Sequence, residues 1–404
     1  MDIPPTKKRR CRSGRSIAPY PTLFLPDELI IEILSFLRVK NIVQLKCLSK
    51  SWFTIISDPT FVEKHLKNSS KHPHLTLFWN QRKEGFNIAS FPMNRLFKNP
   101  SITVYSRNLH RLKNHCIVVG SCNGLLCLVF QSYVHNKCWL RFLNPATKTR
   151  SKKLGLLCYS TPHYTSYSYY HSKFSFGYDA STRTYKVVVV HAEKNEASWK
   201  SEVEVFSLGN NCWRNIQSFT AVPLNWFNVH IRHSHLNDGV HFNGTINWMT
   251  YKSIIHAEQF QILSLDLSTE TYKTFLLPSD FNGVPSLHIQ QPVLRVLSDS
   301  LCFSHDSNET EFVLWHMKEY GVQESWTQLF KISYQNLRMH NILDGYQLAC
   351  IYVNGDMVIF ANEFRNWAFI YNLKDKTAEK IKTRNSIQWF RGAKDYVESL
   401  VPVH

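Results

Sequence analysis

The chain opens on a block in which apolar residues recur at helical spacing. Pro26, Asp27 and Glu28 predict a helix start, because a proline needs no N–H donor there and acidic side chains favour the positive end of the helix dipole. The apolar positions that follow are Leu29, Ile30, Ile33, Leu34 and Leu37. A spacing of three and four residues predicts a first helix with one apolar stripe.

Three further helices are predicted up to residue 67. Asn41 can cap the second helix, and Ser49 or Lys50 begins the third, which contains Trp52. Asp58 ends the third helix and caps a fourth, with proline in its first turn. A helical block of about 45 residues has more apolar side chains than it can bury alone, so we expect it to dock on another surface.

After residue 74 the apolar positions alternate with polar ones, which predicts β-strands. Asn-Gly pairs interrupt this alternation at Asn123-Gly124, Asn243-Gly244 and Asn354-Gly355. Both residue types tolerate positive φ, so each pair predicts a tight hairpin. No long amphipathic helix is visible between residues 75 and 385. This part of the chain is therefore predicted to be all β.

A strand-turn-strand element recurs at intervals of 63, 59, 50 and 56 residues. Its anchor positions are Asn144, Ser207, Asp266, His316 and Asn372. An inner hairpin precedes each anchor: three at the Asn-Gly pairs, the others around Tyr178-Asp179 and Ser298-Asp299. Two hairpins per repeat predict four-stranded propeller blades. A sixth blade would use the remaining strands at Leu75–Trp79, Ile102–Tyr105 and Ile387–Phe390, with Tyr396–Leu400 closing the ring.

The helical block resembles the F-box of plant F-box proteins. The resemblance rests on the runs Leu25–Leu37, Val39-Lys40, Leu45–Trp52 and Ile56–Phe61. It implies packing against the Skp-type adaptor of a cullin-RING ubiquitin ligase. The residues at family positions that form or support that interface are Leu25, Pro26, Leu29, Ile33, Leu37, Val39, Leu45, Lys50 and Trp52. One departure is Arg38, where the family usually has proline, and the loss of a rigid turn residue is expected to weaken the junction to the second helix.

The β-rich part is similar to the F-box-associated, kelch-related domain of the same proteins. The segments that carry this similarity are Asn123–Cys127, Asn144–Thr147, Phe176–Asp179, Tyr185–Val188, Asn243–Trp248 and Glu398–Leu400. The paired glycines and Tyr/Trp of kelch repeats are degenerate here, so we describe the domain as kelch-like.

Together these patterns predict an α+β multidomain chain: a disordered basic tail over 1–22, a helical F-box over 23–68 and an all-β, kelch-like propeller of about six blades over 75–402. The resemblance implies a non-catalytic substrate receptor of an SCF-type ligase, which binds a Skp-type adaptor and a protein substrate for ubiquitination. The alternatives are a nucleic-acid-binding propeller, a general protein-interaction propeller without ligase function, or a propeller enzyme.

The net charge of +17 raises the nucleic-acid alternative. Residues 1–15 carry six basic residues against Asp2, a net +5. A nuclear-import patch fits the basic residues Lys7, Lys8, Arg9, Arg10 and Arg12. A disordered, solvated tail with no targeting function is an equally favoured alternative. We interpret the other +12 as a diffuse excess with a weak bias toward acidic partners, so nucleic acid is not the expected partner. We expect the protein to be located in the nucleus, the cytoplasm or both.

No nucleophile-elbow, zinc-protease, phosphate-loop or dinucleotide pattern is present, so no catalytic residue, metal or cofactor is expected. His230, His233 and His235 are read as loop histidines rather than metal ligands. The Tyr-rich run 159–170 is read as a surface loop, with ligand contact as the less favoured alternative. Ten cysteines without a C-x-x-C pair predict buried free thiols in a reducing compartment, and no stretch is apolar enough to span a membrane.

Overall fold

The structure is a computed structural model of the chain. It describes residues 25–81, 85–104, 109–114, 116–132, 135, 137–158, 172–194, 199–219, 221–223, 239–251, 260–281, 292–308, 310–337, 348–362, 367–384 and 394–403. The basic tail, the three histidines of 230–235, the Tyr-rich run 159–170 and the strand predicted at Ile387–Phe390 lie outside these residues.

Four helices form the N-terminal block. They are α1 (Asp27–Ser35), α2 (Val39–Leu45), α3 (Lys50–Ser57) and α4 (Pro59–Ser69). The helix α3 begins at Lys50, as predicted, and Ser49 caps it through a bond from the Trp52 N–H. The Asp58 carboxylate caps α4, so that predicted cap is confirmed. The other two predicted starts are wrong. Pro26 is the N-cap of α1 rather than its first helical residue, and α2 begins two residues before Asn41.

Arg38 is the N-cap of α2 and has φ −65° and ψ 143°. A proline ring holds φ near that same value, so the arginine adopts the backbone of the residue that usually stands there. The turn between α1 and α2 is therefore kept, and the expected weakening of this junction has no counterpart in the backbone.

Replacing Arg38 with proline is expected to raise the free energy of unfolding by about 0.5–1 kcal/mol relative to Arg38→Ala, because proline restricts the unfolded chain at a position with compatible φ. The alanine variant is the control, since both substitutions remove the same charge. Urea denaturation of the two variants measures the difference. A proline variant less stable than the alanine variant would contradict the expectation.

After the helical block, most of the described strands build six sheets arranged as propeller blades. Blade 1 contains β1 (His74–Gln81), β2 (Gly85–Pro92) and β4 (Leu109–Leu112), with β28 (Lys394–Tyr396). Blade 2 contains β5 (Ile117–Cys122), β6 (Leu125–Ser132), β7 (Lys137–Asn144), β8 (Thr149–Arg150) and β9 (Leu154–Cys158). Blade 3 contains β10 (Ser172–Asp179), β11 (Thr184–Lys194), β12 (Trp199–Ser207) and β13 (Cys212–Ile216).

Blades 4 to 6 complete the set. Blade 4 contains β14 (Val222–Pro223), β15 (Val240–Phe242), β16 (Thr245–Tyr251), β17 (Phe260–Asp266) and β18 (Tyr272–Leu276). Blade 5 contains β19 (Val293–Leu297), β20 (Ser300–Ser307), β21 (Glu311–Met317) and β22 (Trp326–Ser333). Blade 6 contains β23 (Leu348–Asn354), β24 (Met357–Asn362), β25 (Trp367–Asn372) and β26 (Thr377–Lys380).

The innermost strands close the ring. Each contacts the innermost strand of the next blade, in the order β28, β5, β10, β15, β19, β23 and back to β28. The C-terminal strand β28 pairs with β1 in register His74↔Tyr396, so the first blade is built from both ends of the propeller. The six-blade propeller is thereby confirmed. The C-terminal part of the chain closes the ring as predicted, but through Lys394–Tyr396 rather than Tyr396–Leu400.

Blade 1 differs from its prediction. The strand at Ser101–Thr103 (β3) lies outside the blades, because it pairs in parallel with β27 (Lys382–Arg384). The position predicted for it is filled by β2, in which five of eight residues are buried, and by β4. The short helix α5 (Met93–Lys98) and a 3₁₀ turn at Gln323–Ser325 complete the described elements. No helix in the described ranges is long and apolar enough to cross a membrane.

Candidate adaptor interface and its link to the propeller

One face of α1 presents apolar side chains to solvent. Leu25, Leu29 and Ile33 follow one another at intervals of four residues and are 43%, 52% and 55% exposed. Ile30, Leu34 and Leu37 lie on the opposite side and pack in the core of the helical block. The single stripe expected from the sequence is therefore two apolar faces, one that packs in the core and one that is exposed among the residues the structure describes.

This exposure is concentrated in the helical block. The described residues leave nine large hydrophobic side chains exposed, and six of them lie between residues 25 and 53. Phe36, Leu48 and Phe53 join the three residues named above, of which one lies just before α1 and two lie within it. Sequence reasoning did not assign these further three to the adaptor interface. Their position at helix ends and on the outer side of α3 could not be read from spacing alone. Such a concentration marks a protein-binding surface.

The other predicted adaptor residues divide by burial. Pro26 and Lys50 are exposed, beside α1 and at the start of α3. Val39 is fully buried, so its side chain can support the interface but cannot contact a partner. The remaining three, which pack partly buried against the core of the block, are Leu37, Leu45 and Trp52.

The helical block shares its core with the propeller. Leu400 of the C-terminal segment is buried among the helix side chains, and Ala146 from the β7–β8 turn packs at its edge. The surface that the small block needs to complete its core is therefore supplied in cis by blade 2 and the chain end.

A second contact at this junction is made by Glu398. The N–H of Val39 at the start of α2 donates to its carboxylate, which lies near the positive helix end. Burial raises the pKa of Glu398, while Arg38, His65 and the Val39 N–H act against that rise. Burial, and then Arg38, lowers the pKa of His74 to about 4, so its ring, 3.6 Å from Glu398, is neutral at pH 7.

The C-terminal segment 396–403 is held on blade 2 by Asn144. The side-chain N–H₂ of Asn144 donates to the carbonyls of Ser399 (3.0 Å) and Val401 (2.9 Å), and its oxygen accepts from the N–H of Ala146 and Thr147. At Gly124, with φ +80°, an added Cβ would lie 2.1 Å from the Ser399 hydroxyl. Three segments that carry the family resemblance, at residues 123–127, 144–147 and 398–400, thus lie in contact although they are far apart in sequence.

A buried charged cluster joins blades 3 and 4. The Lys186 ammonium lies 2.9 Å from Asp179 and 3.4 Å from Glu270, and it also donates to the carbonyl of Leu267. Asp179 is 1% and Lys186 5% exposed. Burial would raise the pKa of Asp179, but hydrogen bonds from Ser181, Lys186 and Thr182 outweigh it and hold the pKa far below its usual range. The cluster is a structural cross-link, since all its parts are satisfied.

The charge outside the tail is not diffuse, and that interpretation was wrong. Residues 85–178 contain twelve Lys and Arg residues and no Asp or Glu, a net +12. This single stretch equals the whole excess of the 389 residues after the tail. It spans two of the four strands of blade 1, all of blade 2 and almost all of the first strand of blade 3. The propeller therefore has one basic sector.

Within the described residues, no group of three or more His, Cys, Asp or Glu side chains is placed to hold a metal ion. None of the nine described cysteines forms a disulfide bond. Six are buried, as predicted, and the exceptions that are exposed are Cys47, Cys158 and Cys212. Burial raises the pKa of the Cys302 thiol to about 12, so it stays protonated at neutral pH.

Residues 23–64 match the F-box domain family and residues 83–403 match the F-box associated beta propeller domain family. An F-box/kelch-repeat protein of Arabidopsis thaliana is 26% identical over 386 residues, covering 93% of this chain and 95% of the relative. F-box/WD-40 repeat-containing protein 1 of Arabidopsis thaliana is 26% identical over 420 residues, covering 94% and 89%. A chain of a nidogen/laminin complex has a TM-score of 0.44 at 10% identity, covering 81% of this chain and 99% of that chain. The chain belongs to the F-box proteins that carry an F-box associated β-propeller domain.

Proposed function

We propose that this protein is a substrate receptor of an SCF-type cullin-RING ubiquitin ligase, with the F-box on a Skp-type adaptor and the propeller on a protein substrate. The observation that supports adaptor binding is the exposed apolar face of Leu25, Leu29 and Ile33. The core of the helical block is complete without these three side chains. A central apolar anchor with a polar surround is what stable protein interfaces use.

A receptor of this kind needs no catalytic residues. It raises the effective concentration of a substrate lysine near the charged conjugating enzyme, and this depends on a fixed geometry between its two binding surfaces. The shared core at Leu400 and the Glu398 contact to α2 support such a fixed geometry. The kelch-like character of the blades and a nuclear placement through residues 7–12 stay predictions from the sequence.

The double substitution Leu29→Ala/Ile33→Ala is expected to weaken binding to a purified Skp-type adaptor by roughly 10- to 100-fold, because central apolar anchors carry most of an interface's energy. Both side chains are more than half exposed, so the fold should stay intact. Titration calorimetry measures the affinity, and circular dichroism checks the fold.

The matched control is Leu276→Ala/Leu329→Ala, which removes two leucines that are 48% and 43% exposed on blades 4 and 5. Adaptor affinity of this control should stay within about twofold of the parent, as expected for residues outside the interface. Equal affinities for both double variants would refute the placement of the adaptor on α1.

A further inference from the structure

Blade 2 carries a cleft inside the basic sector. It has a volume of about 690 Å³ and is lined by residues of β7, β9 and the β12–β13 turn. Exposed lysines 137 and 153 flank it, and Leu156 stands 58% exposed at its edge. Leu156 and Gly155, with φ +52°, lie at a β-bulge in the pairing of β7 and β9, which turns the leucine outward.

An ordered stack of rings and cations forms one wall. Trp139 stacks in parallel on Phe130 at 5.9 Å between ring centroids, and the Lys153 ammonium lies 4.3 Å over the Trp139 ring. The Arg141 guanidinium lies over the other ring of the stack. Burial, and then the like charge of Arg150, lowers the pKa of Arg141. The cations Lys153, Arg141 and Arg150 thus lie in one region, and none of them forms an ion pair with a carboxylate of the described residues.

The polar groups at this wall are donors in need of an acceptor. The Trp139 indole N–H is buried and has no hydrogen-bond partner among the described residues. Lysines 137 and 153 form no ion pair within the part of the chain that the structure describes, and the sequence places no carboxylate between residues 85 and 178. The two exposed ammonium groups can therefore bind carboxylates of a partner.

We propose that this cleft binds an acidic, extended peptide segment of the substrate, with its carboxylates on Lys137 and Lys153 and an apolar side chain against Leu156. This inference rests on the proposed receptor function and gives the substrate class that it would select. Charge complementarity steers such a segment to the basic sector and sets its orientation.

A peptide suits the cleft better than a single-stranded nucleic acid. Nucleic-acid sites of this type offer free aromatic faces on which bases stack. Here Phe130 and Lys153 already occupy the neighbourhood of the Trp139 ring, and the exposed apolar group at the edge is an aliphatic leucine.

The test uses the full chain with its adaptor and a short fluorescein-labelled peptide of repeated Glu-Leu-Glu units, read by fluorescence anisotropy. The peptide should bind the parent, bind more weakly as salt rises, and lose roughly tenfold or more in affinity with Lys137→Glu/Lys153→Glu. The matched control, Lys273→Glu/Lys380→Glu, makes the same charge change at exposed positions on blades 4 and 6 and should leave affinity within about twofold.

Three outcomes would overturn the proposal: no binding to the parent, equal loss in both double variants, or equal binding of a peptide with Gln in place of Glu. A single-stranded DNA probe that binds more tightly and is lost in the Lys137→Glu/Lys153→Glu variant would also overturn it, since the cleft would then bind nucleic acid. Adaptor co-purification is measured on the same samples. Loss of adaptor binding refutes the receptor function, whereas intact adaptor binding without peptide binding refutes only the cleft.

Discussion

Asp179→Ala should lower the free energy of unfolding by about 3–5 kcal/mol, because it leaves the Lys186 ammonium buried without its closest countercharge. Lys186 is 5% exposed, so water cannot replace the lost carboxylate. The substitution also removes the acceptor for the N–H groups of Ser181 and Thr182 in the following turn. Guanidinium denaturation followed by tryptophan fluorescence measures the change.

An exposed ion pair of the same propeller supplies the control. Glu311 and Lys331 pair across β21 and β22 with side chains 31% and 42% exposed. Glu311→Ala should cost at most about 1 kcal/mol, since solvent screens an exposed pair. If the two alanine variants lose similar stability, the cluster between blades 3 and 4 is not a buried cross-link.

The pH dependence has a defined sign. The pKa of Asp179 is lowered by folding, so its contribution is fully present above the unfolded value near 3.9 and is lost as pH falls toward the folded value. The stability difference between the parent and Asp179→Asn should therefore be constant above about pH 5 and shrink only in strong acid. A difference that changes between pH 6 and 8 would point to another titrating group.

The hairpins were predictable because their signal is local. Asn123-Gly124 has φ of 48° and 80°, and Asn243-Gly244 has 48° and 73°, which the two residue types tolerate at little cost. At Asn354-Gly355 the same signal is displaced by one residue, because β23 continues through Asn354 and the turn falls on Gly355 and Asp356. Period-two alternation likewise located most strands of blades 2 to 6.

Relations between distant segments were not predictable from spacing. Gly177 leaves room for the His241 ring of blade 4, which would lie 2.5 Å from an added Cβ. Nothing next to Gly177 in sequence signals that approach. The same holds for α1, whose two apolar faces can be told apart only when the core around Leu34 is known.

The basic sector is a different case, since it was visible in the sequence. The total charge of the 389 residues after the tail does not reveal the run of 94 residues without a carboxylate. Its meaning came from the structure, which folds this run into neighbouring blades and places Trp139 and Lys153 beside one cleft. Charge must be counted along the chain before it is assigned to a partner.

Asn144→Ala should lower the free energy of unfolding by about 3 kcal/mol, because it removes four hydrogen bonds of a fully buried side chain and leaves the Ser399 and Val401 carbonyls without their donor. We expect the C-terminal segment to lose its stability before the rest of the propeller does. Amide hydrogen exchange in residues 394–403 should become faster than in blade 4, since the segment that closes the ring and enters the helical core is held from this side chain.

Asn372 provides the matched control. It occupies the same place in the outer turn of blade 6, where its oxygen accepts from the N–H of Lys374 and Asp375, and its side chain bonds only within this turn among the described residues. Asn372→Ala should therefore lose only the turn contribution, about 1 kcal/mol. The excess loss at Asn144 measures the clamp on the C-terminal segment. If the two variants lose the same stability and residues 394–403 keep their exchange protection, ring closure and F-box docking do not depend on Asn144, and the β28–β1 pairing with Leu400 must suffice.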